Sequence, residues 1–451
     1  MKKTVALLLV LPLLLTGCGG KKGFYEAEPE QNVVQSEQTE PTEELGCAGT
    51  DAMPWYNAEV TDLGLCLLRG SINEEKNVLI SPVSVMAALS VTINGAEGDT
   101  LTQMETALGR DKDALNQWYE RDIVKAGNAS VHLANGLFLK DDPELTVKEA
   151  FIQTVEKWYE KTDILITSFN EYSVDHINQY VQDNTDGMIQ NILNEMPQEA
   201  IMYLVNALAF EAQWANPYNE YQVSEQIFTT EDGREQTVEL MYAEETYAYV
   251  ENELVTGFLK DYTGGRYAFA ALLPKEGLSV EELADSLSGD AVADLFSYRW
   301  EGKVLTALPK FQTEFDVEMR EVLRGIGMTD AFDPCKADFS GLATYAGGNI
   351  FINRVLHKSF ISVGEQGTRA GAATVMEMAA GEAMAPEEIK EVILNRPFLY
   401  MIWDTQTNMP IFMGTFVDAQ AQGTSVPPDA PEIVLFPAEK RIEGDYCIVD
   451  E

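Results

Sequence analysis

Residues 202–210 read Met-Tyr-Leu-Val-Asn-Ala-Leu-Ala-Phe, an almost unbroken apolar run with the length of a fully buried strand. Three further regions carry strand patterns, and the last is a hairpin around a polar turn. They are residues 304–311, residues 354–363, and the pair 398–403 and 411–417 around the turn 405–408. The carboxyl-terminal half of the chain is therefore predicted to be rich in strands.

The amino-terminal half carries helix signals. Ser81 and Pro82 predict a helix start, because a Ser side chain accepts a hydrogen bond from a free backbone N–H group and Pro suits the first turn. Asn94-Gly95 marks the end of that helix, and a second amphipathic helix is predicted over residues 177–188. Helices early and strands late in 451 residues predict an α+β fold, with one large mixed sheet favoured over two domains.

The chain is strongly acidic, with 73 Asp and Glu against 31 Lys and Arg and a formal net charge of -42. Such a polyanion repels nucleic-acid phosphates and anionic lipid headgroups. We therefore expect no nucleic acid or heparin-like partner. The charge itself indicates solubility and identifies no particular cationic partner.

The first 18 residues have the pattern of a secretory signal peptide. Lys2 and Lys3 precede an apolar run over residues 5–15, which is too short to span a bilayer. The segment ends in Leu-Thr-Gly-Cys18, which resembles the lipobox of bacterial lipoproteins, whose Cys is acylated and becomes the mature amino terminus. An ordinary signal peptide with a chance Cys is the alternative. The resemblance implies anchoring through Cys18 at the extracellular face of the membrane, or release from it, and no other membrane contact.

Two terminal segments flank the predicted globular domain, which is expected over residues 56–418. Residues 19–55 are rich in Glu, Gln, Pro, Ser and Thr, and such a stretch cannot bury enough apolar surface to fold. They are predicted to form a flexible acidic tether. Residues 419–451, with Pro427-Pro428 and scattered acidic groups, leave the globular pattern and are predicted to be a carboxyl-terminal extension.

Five cysteines occur, of which Cys18 is the candidate for lipidation. The other four, Cys47, Cys66, Cys335 and Cys447, match no metal-ligand spacing. An extracellular address permits disulfides. A Cys47–Cys66 or a Cys47–Cys447 bond is one alternative, and free buried thiols are the other.

No catalytic constellation is present in the sequence. The histidines, His132, His176 and His357, have no metal-binding spacing, and the first two are expected on the surfaces of a strand and a helix. The sequence contains no G-x-S-x-G nucleophile elbow and no Gly-rich phosphate loop. We therefore expect a protein that is not an enzyme and that needs no metal or cofactor.

Residues 365–374, Glu-Gln-Gly-Thr-Arg-Ala-Gly-Ala-Ala-Thr, are the most unusual stretch. An Ala/Gly linker is the plain interpretation. However, the stretch directly follows one predicted strand and precedes the next by about twenty residues, and long loops inside compact domains are uncommon and usually functional. This segment is therefore the candidate functional site.

The chain resembles the serpin family over roughly residues 57–418, because several family motifs occur in the family's order. They are Asn77-Val-Leu-Ile-Ser81-Pro82-Val-Ser84, Gly95-Ala96-Glu-Gly-Asp-Thr100, Ile177-Asn178 with Thr185 and Gly187, Leu204-Val205-Asn206-Ala207 with Trp214, Leu308-Pro309-Lys310-Phe311, Gly327-Met328 with Ala331-Phe332, Asn395-Arg396-Pro397-Phe398 within residues 392–402, and Phe412-Met413-Gly414. Each motif alone is weak, but the ordered set is specific.

The resemblance implies a serpin fold, with a large central mixed sheet, further sheets, about eight or nine helices and an exposed reactive loop. It also implies a mechanism. A serine protease attacks the loop and forms an acyl-enzyme, and the cut loop inserts as a new strand into the main sheet and drags the protease with it. The native state is then a metastable trap that is held by kinetics.

In this resemblance the segment from Glu365 is the hinge of the reactive loop. Its members are Glu365, Gly367, Thr368, Ala370, Ala372, Ala373 and Thr374. Alternate residues of a strand share a face, so small side chains at every second position would enter the core without steric cost. These positions are Thr368, Ala370, Ala372 and Thr374. Gln366 and Arg369 replace acidic residues of the family, and Arg369 and Gly371 would face solvent.

Two polar clusters are implied as well. The family's shutter, beneath the point where the sheet opens, corresponds to Ser81, Ser84, Asn206 and His357. Buried polar groups need partners, and these four could satisfy one another. The family's breach corresponds to Trp214, Lys310 and Glu365, with an ion pair expected between the last two. Each residue taken singly could be an ordinary core residue.

Counted from Glu365 as in the family, the scissile bond would be Gly381-Glu382. The segment after the hinge is longer than in many serpins, which leaves a wider window of Ala379, Ala380, Ala383, Met384 and Ala385. Small residues there favour an elastase-like protease with a shallow primary pocket. Because of Glu382, a Glu-specific protease is an alternative target. No Arg or Lys lies between Arg369 and Lys390, which argues against trypsin-like and thrombin-like targets.

The sequence therefore predicts a monomeric inhibitory serpin of the bacterial lipoprotein type that binds elastase-like serine proteases. A non-inhibitory serpin that acts as a surface binding protein is the second interpretation. A hydrolase on an unrelated fold is a third, which the missing histidine constellation disfavours.

Overall fold

The computed structural model describes residues 57–72, 76–125, 130–160, 162–195, 200–368 and 389–421. All of them lie within one compact unit, Leu45–Glu451. Several predictions fall outside the described residues: the signal segment with Cys18, the tether, Cys47, Cys447, the terminal extension from residue 422 onward, Arg369, the hinge residues Ala370, Ala372, Ala373 and Thr374, and the scissile window around Gly381-Glu382.

Nine α-helices occur in the described part of the chain. They are α1 (Ala58–Arg69), α2 (Pro82–Thr92), α3 (Gly98–Leu108), α4 (Lys112–Trp118), α5 (Glu149–Trp158), α6 (Glu171–Asn184), α7 (Val280–Ser286), α8 (Gly289–Ser297) and α9 (Arg320–Gly325). Among the residues described, no helix is long and apolar enough to cross a membrane.

Eighteen strands are described, and most belong to two large sheets. They are β1 (Leu79–Ile80), β2 (Val131–Lys140), β3 (Leu145–Val147), β4 (Asp163–Thr167), β5 (Met202–Phe210), β6 (Ala212–Gln213), β7 (Val223–Thr229), β8 (Glu235–Glu251), β9 (Val255–Asp261), β10 (Tyr267–Pro274), β11 (Trp300–Pro309), β12 (Phe311–Glu318), β13 (Ala343–Tyr345), β14 (Arg354–Gly364), β15 (Gly367–Thr368), β16 (Lys390–Ile393), β17 (Phe398–Asp404) and β18 (Met409–Phe416).

The seven-stranded sheet is the mixed sheet that the sequence predicts. Its order is β4-β2-β5-β14-β15-β6, and β12 pairs with the opposite edge of β14, along residues 356–363. The strands β5 and β14 run parallel and pair from Tyr203 with Arg354 to Ala209 with Phe360. β2 and β12 flank this pair in the antiparallel sense. All nine residues of β5 are buried, as their apolar run predicts.

The nine-stranded sheet has the order β1-β18-β17-β10-β9-β8-β11-β16, with β7 beside β8. It is antiparallel except where β11 and β16 run parallel. The strands β17 and β18 form the predicted hairpin, and Asn408 in its turn has a φ of 51°. The fold is therefore α+β, and a third, two-stranded sheet joins β3 and β13.

Helix α2 joins the two large sheets. Ser81 caps its start by accepting a hydrogen bond from the backbone N–H of Ser84, and Pro82 takes the first turn, as predicted. All eleven of its residues are buried, because the helix contacts β5 and β2 on one side and β18 on the other. A helix with apolar contacts all round is typical of a core position.

Helix α6 covers the opposite face of the seven-stranded sheet. Ile177 and Val181 pack there against Phe138 of β2 and against Tyr203 and Val205 of β5. Alternate residues of β5 face the main core instead. The sheet is therefore buried on both faces, and any new strand must enter beneath α6.

Two predicted boundaries are wrong, and each has a local cause. Helix α6 ends at Asn184 and does not reach residue 188, because Asp186 and Gly187 have φ angles of 52° and 71°, which a right-handed helix excludes. Residues 304–311 belong to two strands, since the chain passes from the nine-stranded sheet to the seven-stranded sheet at Lys310.

The cysteines also differ in part from expectation. Cys66 and Cys335 are both disulfide-bonded, so the alternative of free thiols is wrong for these two residues. The predicted Cys47–Cys66 and Cys47–Cys447 bonds involve cysteines outside the described residues, and they stay predictions.

Candidate functional site at the hinge, breach and shutter

The start of the hinge lies at the carboxyl ends of β5 and β14. Here Gly367 and Thr368 form β15, which pairs antiparallel with Gly364 and Val363 of β14. On its other side β15 pairs antiparallel with β6, the short strand that follows β5. Gly367 and Thr368 therefore lie between β14 and β6, and further along the sheet β14 pairs directly with β5, the strand that precedes β6.

Gly367 is required at its position by its backbone. Its φ is 148°, a conformation that side-chain-bearing residues rarely adopt. A Cβ atom there would lie 2.1 Å from the carbonyl oxygen of Ala212. The close pairing of β15 with β6 therefore depends on a glycine.

Thr368 points into the core, as the alternation of the hinge predicts. It is fully buried, and its Oγ1 lies 2.6 Å from the hydroxyl of Tyr262. Tyr262 in turn stacks on Trp214, with 4.4 Å between ring centres and 16° between ring planes. The hinge is thus connected through one hydrogen bond to a buried aromatic pair.

Glu365 and Lys310 form the predicted ion pair of the breach. Lys310 Nζ lies 2.8 Å from Glu365 Oε1 and 3.0 Å from Glu239 Oε2. The bond to Glu365, with Glu239 in support, raises the pKa of Lys310 above its ordinary value. Partial burial favours the neutral form of Glu365, but Lys310 and a backbone N–H together hold its pKa below the ordinary value. Both groups are therefore charged at neutral pH.

Three consecutive carbonyl groups, from the last residue of β14 into the start of the hinge, accept hydrogen bonds. The backbone N–H of Trp214 donates to Gln366, and its indole N–H donates to Gly364, each at 2.9 Å. The backbone N–H of Tyr218 donates to Glu365 at 2.9 Å. Trp214 is buried, and it fixes the hinge from both its main chain and its side chain.

The four predicted shutter residues meet where α2 begins beneath β5 and β14. His357 and Asn206 are directly opposite each other in the pairing of these strands. Ser84 donates its hydroxyl to Asn206 Oδ1, and the backbone N–H of Ser81 donates to His357 Nε2 at 3.1 Å. Ser359, which the sequence did not indicate, lies 2.8 Å from the same imidazole nitrogen.

The four shutter residues do not supply every hydrogen-bond partner that the cluster needs, contrary to expectation. His357 Nδ1 has no hydrogen-bond partner among the described residues. Complete burial lowers the pKa of His357 to about 3, so the ring is neutral at physiological pH. Of the other histidines, His176 is exposed on α6 as predicted, whereas His132 on β2 is only partly exposed, with Nδ1 3.9 Å from Asp186 Oδ2.

The polar cluster extends further than the sequence indicated. Asn206 Nδ2 donates to Asn135 Oδ1 at 3.4 Å, and Asn135 Nδ2 donates to Thr162 Oγ1 at 2.8 Å. The hydroxyl of Tyr119 lies 3.0 Å from Thr162 Oγ1. Asn135 could have been found in the sequence, because it is a single amide inside an apolar strand pattern, as Asn206 is.

Comparison with known proteins identifies the class to which this arrangement belongs. The family model described as serpin (serine protease inhibitor) matches residues 58–419. The native-state crystal structure of tengpin, a thermophilic serpin, is 40% identical with a TM-score of 0.76, covering 82% of this chain and 96% of that one.

Curated relatives agree with this match. An uncharacterised serpin-like protein of Thermococcus kodakarensis is 28% identical over 93% of this chain and 99% of its own length. Serpin B9 of Homo sapiens is 30% identical over 76% of this chain and 93% of its own length. The chain therefore belongs to the serpin family.

Membership defines a general class of activity. Serpins in general are protease inhibitors and not catalytic enzymes. Most inhibit serine proteases, although some, such as thyroxine-binding globulin, are non-inhibitory. A structure of human thyroxine-binding globulin complexed with thyroxine is 26% identical to this chain with a TM-score of 0.71, covering 80% of this chain and 98% of that one.

Proposed function

We propose that this chain is an inhibitory serpin that traps serine proteases with small primary pockets as covalent acyl-enzymes. The antiparallel entry of Gly367 and Thr368 between β14 and β6 carries the proposal. A strand that continued in this direction would lie between β5 and β14, antiparallel to both. Ala370 and Ala372 follow at the positions that would face the core, where small side chains meet little resistance.

Insertion would exchange one set of strand pairs for two. The seven residue pairs between β5 and β14 would separate, and the cut loop would pair with both strands. Antiparallel pairing is slightly more stable per residue than parallel pairing. Burial of the apolar atoms of an inserted strand would add a hydrophobic contribution. The cut form should therefore be much more stable than the intact form.

The covalent step follows the chemistry of serine proteases. The hydroxyl of the protease serine attacks the carbonyl carbon of Gly381, and the amine of Glu382 leaves with the proton that the protease histidine supplies. The acyl group stays bound to the protease while the hinge inserts. Displacement of the protease before water attacks the ester would leave a covalent complex.

Denaturing electrophoresis tests this proposal directly. The chain without residues 1–18 is mixed with an elastase-like serine protease, and we expect a covalent band near the summed mass. Mass spectrometry should place the cut between Ala379 and Ala385. Clean cleavage without a complex, repeated across a panel of serine proteases that includes a Glu-specific one, would contradict inhibition.

Thr368→Arg gives a sharper test of insertion. Arg does not fit the buried position beside Tyr262, so we expect the chain to be cut as a substrate and the covalent complex to fall by a factor of about ten or more. Gly371→Arg is the matched control, because the sequence places that residue on the outward face of the inserted strand. An undiminished complex with Thr368→Arg would contradict hinge insertion.

A surface binding protein without inhibitory activity is the second candidate, and the similarity to thyroxine-binding globulin favours it. Thermal denaturation before and after cleavage of the loop separates the two. An inserting serpin gains much stability when it is cut, whereas a non-inserting one keeps its melting temperature.

The proposed location is the extracellular face of the membrane, with anchoring through Cys18. The lipobox-like Leu-Thr-Gly-Cys18 supports it. Metabolic labelling with a radioactive fatty acid should mark the wild-type chain and not Cys18→Ser. Equal labelling of both would contradict lipidation at this residue.

A further inference from the structure

Lys260, at the end of β9, is buried next to the hinge although its side chain carries a charge. Only 1% of its side chain is exposed. Its ammonium lies over the rings of Tyr218, Tyr247 and Trp214, at 4.4, 5.1 and 5.6 Å from their centres. Aromatic faces attract cations, but they do not replace the full hydration shell that burial removes.

Few polar atoms compensate for the lost water. Nζ donates one hydrogen bond to the hydroxyl of Tyr247 at 3.1 Å, and Glu245 Oε2 lies 3.6 Å away. An ammonium has three donors, so its charge is incompletely satisfied by the described residues around it. Burial lowers the pKa of Lys260 from 10.5 to about 8, and Glu245 offsets only part of this effect.

Two of the three rings around Lys260 belong to residues that hold the hinge, Trp214 and Tyr218. Trp214 donates hydrogen bonds to the carbonyls of Gly364 and Gln366, and Tyr218 donates one to Glu365. The ammonium packs directly on both aromatic side chains. Separation of the hinge from Trp214 and Tyr218 would therefore open a path for water to the charge.

We propose that Lys260 is a positioning residue of the breach. Its poorly solvated ammonium raises the free energy of the closed breach, and water hydrates the ammonium when the breach opens. The inference rests on the proposed inhibitory function. Its sign follows from linkage: the pKa is low in the closed state and returns toward 10.5 in the open state. Protonation therefore favours opening, and opening slows as the pH rises through about 8.

The neighbouring titratable groups do not account for a transition near pH 8. Strand β8 contributes Glu245 and Tyr247, the segment after β6 contributes Tyr218, and Asp261 follows Lys260 on β9. Burial raises the pKa of both tyrosines above the ordinary 10.0, and burial raises the pKa of Asp261 from 3.8. Lys260 is thus the group in this cluster that is expected to lose its charge there.

A synthetic peptide with the sequence of residues 367–378 probes the opening, because it can add to the seven-stranded sheet only when β5 and β14 separate. We expect its rate of incorporation into the intact chain without residues 1–18, followed by native electrophoresis, to fall about tenfold between about pH 7 and 9.5. Lys260→Met keeps the side-chain length and removes the charge. It should incorporate the peptide slowly at every pH and melt at a higher temperature.

Two further variants test whether the pH dependence belongs to Lys260. Lys303→Met removes a half-exposed lysine from β11, which lies on the far side of β8 from β9, and should keep the wild-type pH profile. Glu245→Gln removes the counter-charge and should move the midpoint of the profile to lower pH. The same profile in Lys260→Met and wild type, or an unmoved midpoint in Glu245→Gln, would overturn the role of Lys260.

Failure of the proposed function would look different. In that case the peptide would not incorporate at any pH, and the cleaved chain would melt at the same temperature as the intact chain. That result would overturn strand insertion and, with it, the role of Lys260 in opening the breach.

Discussion

Gly367 is a residue whose backbone and surroundings both demand a glycine. Gly367→Ala should lower the free energy of unfolding of the intact chain by about 2 kcal/mol, because Ala strains a φ of 148° and its Cβ meets the Ala212 carbonyl. Thermal denaturation of the intact chain measures this change. Gly364→Ala is the matched control, since nothing lies within 4 Å of an added Cβ there. Equal effects of the two substitutions would contradict the argument.

His357 makes the stability of the shutter depend on pH. Its pKa is lowered by burial from 6.5 to about 3, so between these values the unfolded chain binds a proton that the folded chain does not. The stabilising effect of the neutral ring is complete above pH 6.5 and is lost as the pH falls toward 3. The loss should approach about 1.4 kcal/mol for each pH unit.

The measurement compares melting temperatures of the wild type and His357→Gln at a fixed scan rate between about pH 7 and 4.5. Gln cannot be protonated in this range, so the variant should show a shallower dependence on pH. His132→Gln changes a partly exposed histidine and should keep the wild-type slope. A wild-type slope in His357→Gln would show that another group is responsible.

At the scale of elements, α6 and the segment that leads from it to β5 act as a cover on the seven-stranded sheet. Asn178 joins the two: its side chain accepts hydrogen bonds from the backbone N–H groups of Ile192 and Leu193 and donates one to the Leu193 carbonyl, at 2.8 to 3.0 Å. The cover is therefore held by one amide as well as by the apolar contacts of Ile177 and Val181.

Asn178→Ala should lower the free energy of unfolding by about 2 kcal/mol, because three hydrogen bonds are lost and their backbone partners stay partly buried. Gln179→Ala, one position along the helix, removes an exposed side chain whose hydrogen bond among the described residues is to Asp183, and we expect a change within about 0.5 kcal/mol. Thermal denaturation of both variants provides the comparison. Similar losses would mean that general helix propensity, and not the amide, holds the segment.

At the scale of the whole molecule, the net charge of -42 should influence the rate at which the chain associates with a protease. Long-range attraction raises association rates between opposite charges and is screened by salt. With a cationic elastase-like protease, we expect the association rate to fall several-fold between about 50 and 300 mM salt. An acidic protease of the same specificity should show the opposite trend. Salt-independent rates with both would contradict electrostatic steering.

Much of the architecture follows from local patterns. The apolar run at residues 202–210 coincides with β5, and the Ser81-Pro82 pair marks the start of α2. The alternation of small residues also indicated that Thr368 would face the core. These predictions succeed because strand periodicity, helix capping and side-chain size are properties of neighbouring residues.

Other features could not be predicted because they depend on which distant segments meet. The chain leaves one sheet for the other at Lys310, although the sequence pattern runs on through Phe311. Within the described part of the chain, His357 Nδ1 has no hydrogen-bond partner, although the residue types alone could have supplied one. The three rings around the Lys260 ammonium come from β8 and from the segment after β6. No spacing in the sequence indicates that they meet.

The sequence by itself determined the class of fold, the family resemblance and the position of the hinge, since each depends on short motifs and their order. Only the tertiary structure decided that Gly367 and Thr368 already pair between β14 and β6, and that a buried ammonium lies beneath the residues that hold them. The physical reason is that burial and hydrogen bonding are set by contacts between segments far apart in the chain, whereas the motifs are set by neighbours.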